Sequence, residues 1–330
     1  HQALHSFPTR RSSDLFFFRA GDFKGVSSRP QYWWLFLAQF LLGLAAGVLF
    51  GIAIPFSLMD SHSLGSNIMF TLTTLAFSIF GYLGYPQLSL TIRRYRDAKV
   101  SPWWYLGIII FSFIGSLLAV SGMGWWLALL FPVIGAIADL VILLLPSREQ
   151  EVVPFPAQPN THGSIGVGFG TAVKDFFIRG GDFTGESSRS QYWWSILFSV
   201  IIIIPTFLFM LFSIMSIIIG GAAVSGFNSQ NVDHLVNSLG TGAIIIGFII
   251  FAIIYAWSML ALPALTVGWR RFKDAGVSPW WLIAFNVVSA FLSALDRNAG
   301  NVPLSLIALL LVIVQIVIFA LPTKFRDDEA

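Results

Sequence analysis

Arg93, Arg94 and Asp97 lie in the stretch RRYRDAKVSPWW, and Arg270, Arg271 and Asp274 lie in RRFKDAGVSPWW, with 9 of 12 positions identical. Arginine pairs present planar guanidinium forks suited to phosphate and carboxylate oxygens. Arg29 and Arg189 belong to a second repeated stretch, RAGDFKGVSSRPQYWW (Arg19–Trp34) and RGGDFTGESSRSQYWW (Arg179–Trp194), identical at 12 of 16 positions. These eight charged residues either hold an anionic group such as a lipid headgroup or pair with one another. Anchoring to a membrane needs only cations, so an acid in the same place in both copies wants a partner. The expectation is that the two stretches of each copy meet, with Asp97 facing Arg29 or Arg94 and Asp274 facing Arg189 or Arg271. Partly buried pairs of this kind mostly fix geometry.

Two further residues carry polar chemistry in apolar surroundings. Asp139 lies in AIADLVILLLP, and Gln315 stands at the matching place in the second copy. A carboxylate inside a membrane costs about 2.5–3.5 kcal/mol on insertion scales and is a functional candidate by default. Asp139 is, however, only about two helical turns from the end of its run. A transport site and a side chain bonded to a neighbouring helix fit equally well. His62, His162 and His234 are isolated, and no H-E-x-x-H, Walker or G-x-S-x-G pattern occurs. GVGFG at 166–170 lacks the third glycine of a dinucleotide fingerprint and reads as flexible chain. There is no cysteine, which excludes disulfides and thiolate sites. The expectation is a protein with no catalytic, metal or cofactor site, hence not an enzyme.

The elements that position these residues are apolar helices. The chain has 330 residues, 56% hydrophobic and only 11% charged, against about 25% charged in soluble domains. A helix crossing the hydrocarbon needs about 20 apolar residues. Such runs fall near 35–58, 68–92, 103–120 and 124–145, and again near 194–219, 242–268, 280–296 and 303–321. The third run of each set is short. The run 280–296 can thin the bilayer or form a re-entrant hairpin, but a full span is favoured. The fold class is therefore an all-α membrane protein, with about eight spans as two parallel four-helix repeats. Repeat boundaries fall at 16–148 and 175–326. A Pro- and Gly-rich linker occupies 149–174, and an acidic tail 327–330.

Residues 1–15 stand apart. Back-translated, HSFPTRRSSDL resembles a short-read sequencing adapter read in one frame, and the repeats begin to match at Phe16 and Phe176. The expectation is that 1–15 are foreign to the gene or form a disordered tail. Of the 17 basic residues beyond this segment, 16 fall on one side of the spans and only Arg297 on the other. Such short basic loops face the cytoplasm, which places both termini there. The formal charge of +3 is too small to suggest a nucleic-acid partner.

Aromatics flank the basic loops. Trp33, Trp34, Trp193 and Trp194 close the first stretch of each copy, and Trp103, Trp104, Trp280 and Trp281 close the second. Such rings suit the headgroup layer, and Arg29 can extend to the phosphates. Gly21 and Gly25 break helix before the first span. Pro102 and Pro279 suit a first helical turn. Pro86 and Pro263 sit inside their spans at matching places and are expected to kink them, giving a shaped packing surface or a hinge. Gly43, Gly47 and Gly51 form a small-residue stripe that Ile203, Phe207 and Leu211 replace in the second copy. Such a stripe permits close helix approach, within the chain or in a homo-oligomer.

At the two repeated stretches the chain resembles a tandem copy of the bacterial inner-membrane family called domain of unknown function 805. The resemblance rests on Phe23, Gly25, Arg29, Tyr32 and Trp33 with Phe183, Gly185, Arg189, Tyr192 and Trp193. It rests equally on Arg93, Arg94, Asp97, Ser101, Trp103 and Trp104 with Arg270, Arg271, Asp274, Ser278, Trp280 and Trp281. Arg96 and Lys273 stand where many members carry His, and Gln31 and Gln191 where an acid often precedes the Tyr. Roles that need those groups do not carry over. The resemblance implies an integral, multi-pass inner-membrane protein and supplies no reaction. Two functions are then open: a non-enzymatic scaffold, accessory or lipid-interacting protein, and a small-solute or ion transporter or channel at the repeat interface. The sparse polar residues (Asp139, Gln315, Gln87) favour the first. Membrane lipids are the expected partners, with a second copy or another membrane protein as further candidates.

Overall fold

The computed structural model describes residues 17, 19–59, 64–118, 126–146, 166–224, 232–296 and 302–322. The expectations for residues 1–15, for most of the linker, for Arg297 and for the tail 327–330 lie outside them. Among the described residues the chain is helical and has no strand. In order come α1 (Arg29–Met59), α2 (Leu64–Asp97), α3 (Trp103–Leu118), α4 (Leu127–Leu144), α5 (Phe169–Ile178), α6 (Arg189–Val224), α7 (Val232–Asp274), α8 (Trp280–Asp296) and α9 (Val302–Ala320).

Among the described residues four segments are long and apolar enough to cross a membrane: Arg29–Ile52, Arg189–Ser216, Ala252–Asp274 and Pro303–Ala320. Trp103–Gly115, Leu129–Leu144 and Trp280–Ser293 are apolar but shorter. Only 6% of the first and fourth of these windows is buried. So much aliphatic surface turned outward is unfavourable in water and suits a hydrocarbon surrounding.

Each unit is a pair of helical hairpins. In the first, α1 packs on α2 and α3 on α4; in the second, α6 packs on α7 and α8 on α9. The units join through α2, which packs on both α7 and α8. Helix α5 begins at Phe169, inside the stretch read from sequence as linker, and packs on α6. Its Phe176 is fully buried beside Tyr192, Val267 and Phe319.

The join between units is built from matched residues. Phe17 and Phe177, Phe23 and Phe183, Tyr82 and Met259, and Tyr85 and Leu262 all share one cluster around Ala20. Tyr85 adds a hydrogen bond to the Phe177 carbonyl at 2.7 Å. The backbones come very close here. A Cβ on Gly21 would lie 2.2 Å from the Ile178 carbonyl oxygen, and one on Gly181 would lie 1.6 Å from that of Phe17. Only glycine fits either place. Pro86 and Pro263 are buried in α2 and α7, with the Pro263 ring 3.0 Å from the Cβ position of Gly180. Both prolines are thus in packed surroundings, Pro263 against the loop of its own unit.

The turns after α2 and α7 match closely. Val100 N–H bonds Tyr95 O and Lys99 N–H bonds Arg96 O; Val277 bonds Phe272 and Gly276 bonds Lys273 in the same way. This is the Schellman stop, which needs a left-handed residue. Gly276 takes that place at φ 72° and Lys99 at φ 57°.

Candidate functional site

The charged residues of both repeated stretches gather where α1 begins and where α2 and α4 end, with the same arrangement in the second unit. The loop before α1 is folded around Asp22. Its Oδ1 accepts the backbone N–H groups of Lys24 at 3.1 Å and Gly25 at 2.8 Å, an Asx turn. Its Oδ2 accepts Nε and Nη2 of Arg19. Asp182 repeats this with Gly185 N–H, with Thr184 N–H and Oγ1, and with Nε and Nη2 of Arg179. A Cβ on Gly25 would lie 2.2 Å from Arg19 Nη2, and one on Gly185 2.1 Å from Arg179 Nη2. These glycines are fixed by the space the ion pair takes, not by a need to break helix.

Burial would raise the Asp182 carboxyl, but Arg270, Arg179 and the Thr184 bonds hold it down at about 2. Asp22 is likewise lowered against burial, by Arg19 and Gly25. Both are anions at any physiological pH. The helices that follow are capped by Gln31 and Gln191, whose Oε1 atoms accept from the Ser28 and Ser188 N–H groups at 3.3 and 3.1 Å. That is half of a capping box, and Ser188 Oγ completes it by accepting from Gln191 N–H at 3.4 Å. The Gln in place of an acid thus has a structural use.

The second stretch reaches back onto this loop. Arg270, 1% exposed, donates from Nη1 to the carbonyls of Arg179 at 2.7 Å and Asp182 at 3.3 Å, and from Nε to Ser187 Oγ at 2.9 Å. Lys273 Nζ reaches the Phe183 carbonyl at 2.7 Å. In the first unit Ser89 Oγ takes over the loop carbonyls, bonding those of Arg19 at 3.1 Å and Asp22 at 2.9 Å. Arg96 reaches the Lys24 carbonyl at 3.5 Å.

The other arginine of each pair turns to the last helix of its unit. Arg94 donates to Asp97 and to the carbonyls of Leu143, at 3.1 Å, and Leu145. Arg271 donates to Asp274 and to the carbonyls of Phe319, at 3.0 Å, and Leu321. A helix end leaves its last carbonyls without internal partners. One buried guanidinium satisfies two of them and a carboxylate together, and so fastens α2 to α4 and α7 to α9. Asp97 is paired with Arg94 and Asp274 with Arg271. Arg29 and Arg189 are instead exposed at the first turns of α1 and α6, near enough to act as like charges on Arg94 and Arg271.

The tryptophans ring the same end. Trp34, Trp103, Trp104 and Trp280 are 70%, 77%, 63% and 67% exposed, Trp193, Trp194 and Trp281 are exposed too, and Trp33 is half-buried against Phe36. Asp139 accepts a hydrogen bond from Tyr95 of α2, so it is tied to a neighbouring helix. Gln315 is half-buried on α9. Beside the Gly43–Gly47 stripe a groove opens, lined also by Phe36, Gln39 and Gln87. The sequence reading missed Arg19, Asp22, Arg179 and Asp182. The signal was present: R-x-G-D is identical in both copies. Among the described residues no three His, Asp or Glu side chains are placed to hold a metal ion.

No curated protein and no solved structure matches the chain. The family described as a protein of unknown function, DUF805, matches residues 20–153 and again 181–328, each match taking in one loop aspartate, one arginine pair and one capped helix end, with Arg19 and Arg179 just before the matched ranges; the chain belongs to that family, as a tandem duplicate.

Proposed function

We propose that this is a non-enzymatic, multi-pass protein of the bacterial inner membrane that engages lipid headgroups at its cytoplasmic rim and serves as a scaffold or accessory there. On this reading each unit crosses the membrane four times, the shorter helices included, and the end of the bundle that carries Arg29, Arg189 and the arginine pairs faces the cytoplasm. The observation that carries it is the placing of Arg29 and Arg189. A cation at a helix N-terminus opposes the helix dipole, and both side chains are exposed among exposed tryptophans. A headgroup phosphate supplies the compensation that the helix does not.

The transporter reading is less well supported. Asp139 is engaged by Tyr95, and the interface between units is filled by Phe, Tyr, Leu and Met side chains. A deletion strain compared with its parent for membrane lipid composition and for solute uptake tests the choice. Altered lipid composition with normal uptake is expected. Lost uptake with unchanged lipids overturns the proposal.

A further inference from the structure

The Asp22 loop with Arg93 and the Asp182 loop with Arg270 form two clasps, with the same backbone plan but different charge. Counting the matched loop positions and the arginine that bonds or acts on each loop, the second unit sets Arg179 and Arg270 against Asp182 and Glu186, for a net charge of zero. The first unit sets Arg19, Lys24 and Arg93 against Asp22, for a net charge of +2. Thr184 and Glu186 of the second loop are Lys24 and Val26 in the first.

The buried hydrogen-bond donors differ as well. Ser187 Oγ and Arg270 Nε bond each other at 2.9 Å. Their counterparts are Ser27 and Arg93, which are 1% and 2% exposed. Ser27 Oγ and Arg93 Nη2 have no hydrogen-bond partner among the described residues. Arg93 makes one long bond, from Nε to the Ser89 carbonyl at 3.4 Å. A buried guanidinium nitrogen and a buried hydroxyl left unmatched are costly. The first clasp is also more open at its surface. The Arg19 side chain is 17% exposed against 4% for Arg179, and Ser28 is exposed where Ser188 is buried.

We propose that the first clasp binds a phosphate group, either on a lipid headgroup or free in solution. Arg93 Nη2 and Ser27 Oγ donate from inside, and Arg19 and Lys24 from the rim. The second clasp is the same device sealed by its own carboxylates. This rests on the reading that the basic end lies at the headgroup layer. Two rim cations beside two unmatched donors, one of them itself on a guanidinium, suit the multiple acceptor oxygens of a phosphate better than a single carboxylate.

The test uses the purified full chain in phosphatidylcholine nanodiscs, with phosphatidylglycerol or inorganic phosphate titrated in. Binding is read by native mass spectrometry and by melting temperature. Lys24→Thr with Val26→Glu gives the first loop the residues that the second carries at the same places in the same backbone turn, Lys24 being exposed and Val26 half-buried. Both this double variant and Arg93→Gln are expected to weaken binding about tenfold. Lys174→Thr removes an exposed charge outside the clasp and is expected to change it less than about twofold. Binding of phosphatidylglycerol without inorganic phosphate assigns the lipid as source, and binding of inorganic phosphate with the same variant pattern assigns the free ion. Equal weakening in all variants overturns the site in favour of diffuse attraction. Wild-type binding that the double variant leaves intact overturns the site but keeps the headgroup reading. No binding of either probe by the wild type overturns both.

Discussion

Arg270 donates from Nη1 to the carbonyl of Arg179 at 2.7 Å, so one buried cation holds the loop that carries another. Asp182 makes this possible. It bonds Nε and Nη2 of Arg179 and lies 3.7 Å from Nη1 of Arg270. A carboxylate shared by two arginines has a clear pH signature. Its folded value of about 2 lies below the ordinary 3.8. The charged form therefore favours the fold, and that stabilisation is complete above the ordinary value and disappears as pH falls through about 2. Melting of the wild type in detergent should weaken progressively from pH 4 to pH 2. Asp182→Asn should be less stable at pH 7, and its deficit should shrink as pH falls. A deficit that stays constant from pH 7 to pH 2 contradicts this account.

Arg271 offers a sharper energetic test. Replacing it with Met leaves Asp274 buried, 1% exposed, and frees the carbonyls of Phe319 and Leu321. Breaking one side of a buried pair costs about 3–5 kcal/mol. The double change Arg271→Met with Asp274→Leu should recover part of that loss. The helix-end carbonyls still lack their donor, so recovery should be incomplete. Unfolding in mixed micelles across the four members of this cycle measures the coupling. Arg94 and Asp97 should give the same pattern.

The turn after α2 holds a removable strain. Lys99 takes the left-handed conformation at φ 57° that Gly276 takes at φ 72°. A residue with a Cβ is disfavoured there by about 1–2 kcal/mol. Lys99→Gly should stabilise the first unit by about 1 kcal/mol, and Gly276→Ala should destabilise the second by a similar amount. Thermal melts of the two variants suffice; opposite signs are required.

What the sequence disclosed and what it hid follow from range. Arg94 with Asp97 and Arg271 with Asp274 were legible because partner and motif lie three residues apart in a repeated stretch. Helix starts and stops near Arg29, Asp97 and Trp103 were legible from aromatic and proline punctuation. The third point of each fork was not, because the carbonyls of Leu145 and Leu321 lie about 50 residues away and carry no side-chain signature. Helix α5 was hidden by its glycines: GVGFG at 166–170 reads as flexible chain, yet the helix starts inside it at Phe169 and buries Ala172 and Phe176. The difference between the clasps was in plain view as Lys24 against Thr184, yet meant nothing until Ser27 Oγ and Arg93 Nη2 were seen without a hydrogen-bond partner among the described residues.

Gly181 should tolerate nothing larger. A Cβ there would meet the Phe17 carbonyl oxygen at 1.6 Å, and a backbone cannot yield as a side-chain tip does. Gly181→Ala should destabilise the contact between units by about 1–3 kcal/mol, the usual range for overpacking. Gly47→Ala, where a Cβ meets nothing within 4 Å, is the control and should be neutral. The chain has no cysteine, so Tyr82→Cys with Met259→Cys, on matched places in the shared cluster, gives a clean crosslink readout. Slower or lost crosslinking in Gly181→Ala is expected, with no change in Gly47→Ala.

The last prediction concerns Asp139, because the choice between structural and transport roles turns on it. Tyr95 and Asp139 bond each other across α2 and α4. At the matching places of the second unit stand Phe272 and Gln315, so the hydroxyl and the carboxylate are absent together. That joint replacement is what a local hydrogen bond predicts; a carboxylate acting on a passing solute has no reason to vary with Tyr95. Asp139→Leu should cost about 1–3 kcal/mol by leaving the Tyr95 hydroxyl unmatched. Asp139→Gln combined with Tyr95→Phe copies the second unit and should restore most of the loss. Asp139→Asn keeps an acceptor for Tyr95 and should change stability little. Melts in detergent check the first three statements, and uptake assays on cells carrying Asp139→Asn check the fourth. Normal uptake is expected there. Lost uptake at unchanged melting temperature would move Asp139 from packing to transport.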